Sequence, residues 1–450
     1  MQRRSIAEIG IGKVVTGAII IALALGATVF YMIYTGRIGG GSKLKLSGPS
    51  RVGHEWSDIA ADNNIVSDYL FSRTKRLAVE KGGDGILIST SYTIAGRLVS
   101  QEAENSGIYD LTDQALLLKC YVRSGDRANA ISLKEEVMKR FRLSDGAYRT
   151  YVYLDETKAP EELITVSASI EWLEAMTEYY ASYGNDDDYK EICHLAGLLF
   201  DSEGRLNTET VSVAKYSESL YVSLEDTSGI ETGDEGSLEQ VYGTITGDSE
   251  GADTEREVIE EDYEGVLLSN IKLKLIRDLE NNGILPEGSY DKALKAVKDG
   301  FAGSGYSFYA YATSGQMDCG EYIYSGKSTA AFDITHNIKT MRNLAEVGEL
   351  DGESFAEFKE MVMNSGRIYT EFVIMTGNYS GREAVEAYAD GLMTAYFMGD
   401  KDLYERLANT VGKRVATKST SPALYMIFRE GNDRYIFYSK ENLSIRLSTS

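Results

Sequence analysis

Beyond residue 55, apolar side chains recur at the three- and four-residue spacing of amphipathic helices. Ile65, Tyr69, Leu70 and Leu77 predict a helix within 64–80. Stretches 111–121 and 131–141 pair about Ser124-Gly125-Asp126, and 167–183 and 189–200 pair about Gly184 to Asp188. Further helices are predicted over 266–281, 290–301, 333–347, 352–365, 382–398 and 402–411. The turns at 124–126, 183–185, 347–349 and 398–400 read alike: glycine closes one helix and a polar or acidic residue opens the next. Hairpins recurring at roughly 50–60 residues fit a closed toroid better than a uniform solenoid. The alternating or aromatic pieces 148–154, 206–222, 306–313 and 435–438 are expected as loops at its mouth.

Residues 14–34, VVTGAIIIALALGATVFYMIY, carry no charge. At about 1.5 Å per residue such a run crosses roughly 30 Å of hydrocarbon, so a transmembrane anchor is expected here. Ala22-Leu23-Ala24 has the small-residue form of a cleavage site, but the apolar run continues past it, which favours an uncleaved anchor. Flanking bases are balanced, and an N-in orientation is expected, with residues 1–13 cytoplasmic. Residues 35–51 read as a flexible linker, and residues 52–450 as an extracellular domain at the cell membrane. Within it, 225–264 holds fifteen acids and one base and reads as an exposed, poorly ordered insert.

The net charge of −23 argues against a nucleic-acid partner, which needs a basic face. Three cysteines and three histidines, without HExxH or CxxC spacing, point to no metal site, and no cofactor is expected. Cys120, Cys193 and Cys319 are expected to be buried or unreactive thiols. Four prolines favour helix, and 31 tyrosines against 13 phenylalanines supply rings that both pack and hydrogen-bond.

Carboxylates are the remaining chemical material. Glu104, Glu171 and Asp333 each stand near a predicted helix start. In a toroid of hairpins the starts of the inner helices converge on one mouth, where carboxylates can face each other. Each also has an ordinary reading: Glu104 as a helix-entry acid, Glu171 as part of a solvated face with Glu174 and Glu178, and Asp333 as an N-cap. Tyr306, Tyr309 and Tyr311 could stack on sugars or pack the barrel.

The segment Glu104-Asn105-Ser106-Gly107-Ile108-Tyr109 leading into an apolar helix resembles the Ser-Glu-x-x-Gly-Tyr segment of glycoside hydrolase family 8 and related Gram-positive six-hairpin glycosidases. Ala168 to Leu173 is similar to the family's second signature, with Glu171 where the family has Asp. Phe332 to Thr335, followed by Asn343 to Glu349, resembles the entry that supplies another carboxylate, and 383–400 the last inner helix. The resemblance spans about residues 80–415. It implies an all-α (α/α)6 barrel and inverting hydrolysis of a β-linked glycan or exopolysaccharide. On it Glu104 is the expected general acid and Asp333 the base, with Glu171, Trp172, Tyr109, Tyr309 and Tyr311 along the substrate. Inversion needs acid and base about 6.5–9.5 Å apart. A catalytically degenerate glycan-binding or polysaccharide-assembly factor on the same fold is the alternative, a helical scaffold for protein partners a third reading, and an exopolysaccharide synthesis complex a candidate partner.

Overall fold

The computed structural model describes residues 44–48, 55–81, 85–98, 103–155, 158, 163–216, 258–303, 305–318, 320–326, 330–374, 376–380, 382–431 and 433–449. The apolar stretch 14–34, most of the linker, residues 225–257 of the insert and Cys319 lie outside the described residues. Among those described, no helix is long and apolar enough to cross a membrane.

The helices are α1 (Ser57–Asp62), α2 (Ser67–Thr74, continued by a π turn over Lys75–Lys81), α3 (Leu111–Arg123), α4 (Arg127–Phe141), α5 (Val166–Tyr183), α6 (Asp186–Leu199) and α7 (Leu273–Asn281). They continue as α8 (Ser289–Asp299), α9 (Ile334–Val347), α10 (Gly352–Ser365), α11 (Tyr388–Met398), α12 (Lys401–Gly412) and α13 (Ser439–Ser448). Local chemistry sets their ends. Asp126, Asp333, Asp351 and Asp400 each cap the helix that follows through a backbone N–H, and Asn185 with Asp188 forms a reciprocal capping box on α6. Gly348 and Gly399 end α9 and α11 in left-handed conformation, where a side chain would be strained.

Helices α3, α5, α7, α9, α11 and α13 form the inner ring: α13 packs on α3, α3 on α5, α7 on α9, α9 on α11 and α11 on α13, while the turn before α7 meets α5. Outside them stand α4, α6, α8, α10 and α12, each the partner of the inner helix before it, and α2, which packs on α13. The sixth pair therefore joins the two ends of the described chain. Inner helices run parallel, as side-chain register shows. Arg123 reaches the Leu447 carbonyl at 3.4 Å on one side and Glu178 on the other, and Lys119 reaches Glu174 at 2.5 Å. One apolar core runs through all of this, from Leu70 on α2 to Ile445 on α13.

Strands gather where the inner helices begin. β1 (Ser91–Ala95), β2 (Ala103–Asn105), β14 (Arg429–Gly431) and β15 (Arg434–Tyr438) form an antiparallel sheet in the order β14-β15-β1-β2, with Ser91 opposite Tyr438. β3 (Ile108–Asp110) pairs with β4 (Tyr151–Tyr153), and β11 (Ala331–Asp333) with β12 (Glu371–Val373), which pairs with β13 (Asn378–Tyr379). β5 (Glu209–Tyr216) pairs with β6 (Val258–Gly265). This last pair corrects the expectation of a loop throughout 225–264: its final residues are a strand beside β5, whose Val211 and Val213 are buried with Tyr311, Ala312 and Ile323. Short pairs β7 (Phe301–Gly303) with β8 (Tyr306–Tyr309), and β9 (Ala312–Thr313) with β10 (Tyr322–Ile323), complete the rim.

Candidate active site

The mouth is the end at which the inner helices start, and its floor is ionic. Glu171, on the second turn of α5, lies 2.8 Å from Lys272, 3.2 Å from Lys339 and 3.7 Å from Lys119. Glu174, one turn deeper, shares Lys119 at 2.5 Å and Lys272 at 3.2 Å. Burial pushes the Glu171 carboxyl up, but Lys272, Lys339 and Lys119 together hold it well below the usual carboxylate range. Burial lowers Lys339, which remains partly open to solvent, against the pull of Glu171. The expected acidic face of Glu171, Glu174 and Glu178 is therefore not solvated: the first two carboxylates are locked inside the ring by lysines from three other elements.

Around the rim sit Asp333, Glu209, His336 and Tyr311. Asp333 caps α9 by accepting the His336 N–H at 3.0 Å. The His336 Nδ1 lies 2.8 Å from the Ser269 hydroxyl, and its ring meets Tyr311 edge-on at 4.7 Å. Burial, then the charges of Asp333 and Glu209, push the Tyr311 hydroxyl up to about 12. Glu209 accepts from the Asn270 amide at 2.8 Å and the Val166 N–H at 3.2 Å; burial nevertheless raises its carboxyl. The ring order places α9 opposite α3, so this cluster stands across the mouth from the α3 entry.

On the α3 side Glu104 is exposed on the edge strand β2, shortly before Ser106 and Gly107. Those residues, with Tyr153, Leu154 and Asp155, line a depression of about 330 Å³. Asp113, which sequence reasoning did not single out, lies in the first turn of α3 and is 3% exposed, with Oδ1 unpartnered. Burial, then Asp110, raise its carboxyl well above the usual range, against Lys440 on α13. Its acid residue type at helix position N3 is common, and only the packing of α13 on α3 gives it this environment.

Three expected sugar contacts sit elsewhere. Trp172 and Tyr109 are 0% exposed and Tyr309 2%, so none presents a face on which a sugar could stack; each fills the core behind the mouth. Trp172 packs 6.0 Å from Tyr148, and Tyr309 5.4 Å from Phe301. Tyr311 is nearly buried, with its surroundings at the rim. At the opposite end of the ring a cavity of about 520 Å³ is lined by Arg123, Glu178, Asp278, Arg342 and Glu346, and Leu46 and Ser47 lie across it. It holds none of the expected site residues.

No protein-family model matches the sequence, and no curated protein matches it. Solved structures do. An α-amylase from Clostridium perfringens superposes with a TM-score of 0.59 at 13% identity, over 86% of this chain and 97% of that one. A cold-adapted family 8 xylanase gives 0.52 at 9% identity, over 91% and 96%. A β-1,3-1,4-glucanase from Paenibacillus sp. X4 gives 0.51 at 9%, over 90% and 96%. At such identities the likeness is one of fold, and the chain's fold is the six-hairpin (α/α)6 barrel found in glycoside hydrolase family 8.

Proposed function

We propose that this chain is a glycoside hydrolase that cleaves a β-linked glycan or exopolysaccharide with inversion, held at the outer face of a membrane by residues 14–34. The observation that carries this reading is the mouth. Asp333 opens α9, and Glu104 lies on β2 ahead of α3, the inner helix opposite α9 in the ring order, which supports two carboxylates serving one mouth. Asp333 acts as base on a water. Glu104 acts as acid: its carboxyl is exposed on β2, where a bound sugar can reach it. The neighbours in fold include enzymes named for α- and β-linked glucans, so the substrate panel covers both.

The test is release of reducing ends by the full chain from cellulose, mixed-linkage glucan, xylan, chitosan and starch, with product anomers followed by NMR. Glu104→Gln and Asp333→Asn should each lower kcat by about 100-fold or more, with binding retained. No release from any substrate removes the hydrolase reading. A second reading, glycan binding without hydrolysis, is favoured by Glu171. This carboxylate, expected along the substrate, is already neutralised by three lysines. It predicts binding to the same panel without release, and no effect of Glu104→Gln on affinity.

A further inference from the structure

Tyr69 on the outer helix α2 is 57% exposed, more than any other exposed large hydrophobic side chain among the described residues. Its ring stacks on Tyr425 with centroids 5.0 Å apart and planes 18° from parallel. Tyr425 has φ of 73°, a left-handed conformation that a bulky residue adopts only against strain. The loop around it is tied down on several sides. The Tyr425 N–H donates to the Ala416 carbonyl at 2.8 Å, and the Ala416 N–H to the Met426 carbonyl at 2.9 Å. Asn442 on α13 accepts the Ile427 N–H at 2.8 Å and donates to its carbonyl at 3.0 Å, while Ser421 reaches the Leu98 carbonyl at 2.8 Å. Glycine would keep those backbone bonds without the strain, so what the position retains by holding tyrosine is the ring.

We propose that the Tyr69–Tyr425 stack is an accessory glycan-binding platform on the outer wall, separate from the mouth. The second ring fixes the plane of the first. The free face of Tyr69 is then a flat apolar surface with a polar edge, which matches a pyranose: a C–H face bordered by hydroxyls. Thr417, Lys418, Ser419 and Thr420, which follow Ala416, are all exposed and supply hydroxyl and ammonium donors in the same loop. A protein partner would call for a broader apolar patch; of the other exposed large hydrophobic residues among those described, Leu154, Leu163 and Ile164 belong to the β4–α5 connection, Leu198 to α6 and Met363 to α10. The choice of a glycan as ligand rests on the glycan-directed reading of the mouth, but the platform binds whether or not the mouth hydrolyses.

The test is native electrophoresis of the full chain, in a detergent without a sugar headgroup, through gels containing mixed-linkage β-glucan, xylan or soluble starch. The unaltered chain should be retarded in at least one gel. Tyr69→Ala and Tyr425→Gly should each weaken that retardation about five-fold, while Asp333→Asn leaves the platform's share in place. Tyr69→Ala should not change hydrolysis of a short soluble oligosaccharide. Retardation without hydrolysis supports the platform and counts against the hydrolase alone. Equal retardation of Tyr69→Ala and the unaltered chain, or none in any gel, overturns the proposal. So does sedimentation showing that Tyr69→Ala only splits a dimer.

Discussion

Asp113 and Glu441 each bury a carboxyl oxygen that has no hydrogen-bond partner, in first turns that pack against each other. Both carboxyls are raised, chiefly by burial, although Arg429 bonds Glu441 at 2.6 Å. A raised carboxyl holds its proton in the folded state above the pH at which the unfolded chain releases it. Its contribution to stability is thus complete below the unfolded pKa of about 4 and is lost as pH rises through the folded value. Asp113→Asn removes the group that must ionise. The urea midpoint of the variant should gain on the parent's as pH rises from about 4 toward neutrality. A constant difference across that range would show that Asp113 does not titrate there. Residues of this kind are hard to read from sequence. Asp113 resembles any first-turn acid, and Glu171, an evident acid in a helix, could not reveal the three lysines that converge on it from α3, α9 and the turn before α7.

Helical elements were far more legible, because their signals are local. Gly125-Asp126 and Gly399-Asp400 end and cap helices as the turn chemistry predicts. The turn at 347–349 differs by two residues: Gly348 ends α9, but the cap of α10 is Asp351 rather than Glu349. The Asp351 carboxylate accepts the Glu353 N–H at 2.7 Å and the Ser354 N–H at 3.2 Å. Asp351→Ala should therefore cost about 1 kcal/mol in urea unfolding, and Asp351→Asn less than half of that. Equal costs would point to a charge effect instead of a cap. The apolar spacing predicts one helix over 266–281, yet α7 begins only at Leu273. The Val266 N–H bonds the Thr313 hydroxyl at 3.0 Å, and Asn343 bonds the carbonyls of Ser269 and Ile271, so a tertiary partner takes the backbone groups that a helix would use. Pairing partners of strands were illegible for the same reason. Alternation marked 206–222 and 435–438 as extended, but nothing local says that β15 meets β1 across more than three hundred residues.

The architecture as a whole depends on that distant pairing. Hairpin periodicity and the family resemblance covered residues up to about 415, which account for five inner helices. The sixth, α13, lies beyond them, and its partner α2 stands at the other end of the domain. Short length and a modest apolar stripe hid α13 in the sequence, although Asn442, Leu443, Ile445 and Arg446 are all buried. Closing the ring exposes neither α3 nor α11 at an edge, and three separate links fasten the seam: the β1–β15 ladder, the Cys120–Leu443 packing and the contact of Ser67 with Thr449. Burial raises the Cys120 thiol to about 12, which makes it an inert part of that seam. A chain ending at Tyr438 keeps the β1–β15 pairing but leaves α2, α3 and α11 with an open apolar groove through the core. A stop codon after residue 438 should abolish the single cooperative urea transition and leave a chain that binds a hydrophobic dye. Supplying residues 439–450 as a separate peptide should restore part of the lost transition, since the groove is shaped by the other five inner helices. If the shortened chain instead unfolds with an unchanged midpoint and slope, the ring is held by its five local hairpins and the sixth pair is an ornament of the fold.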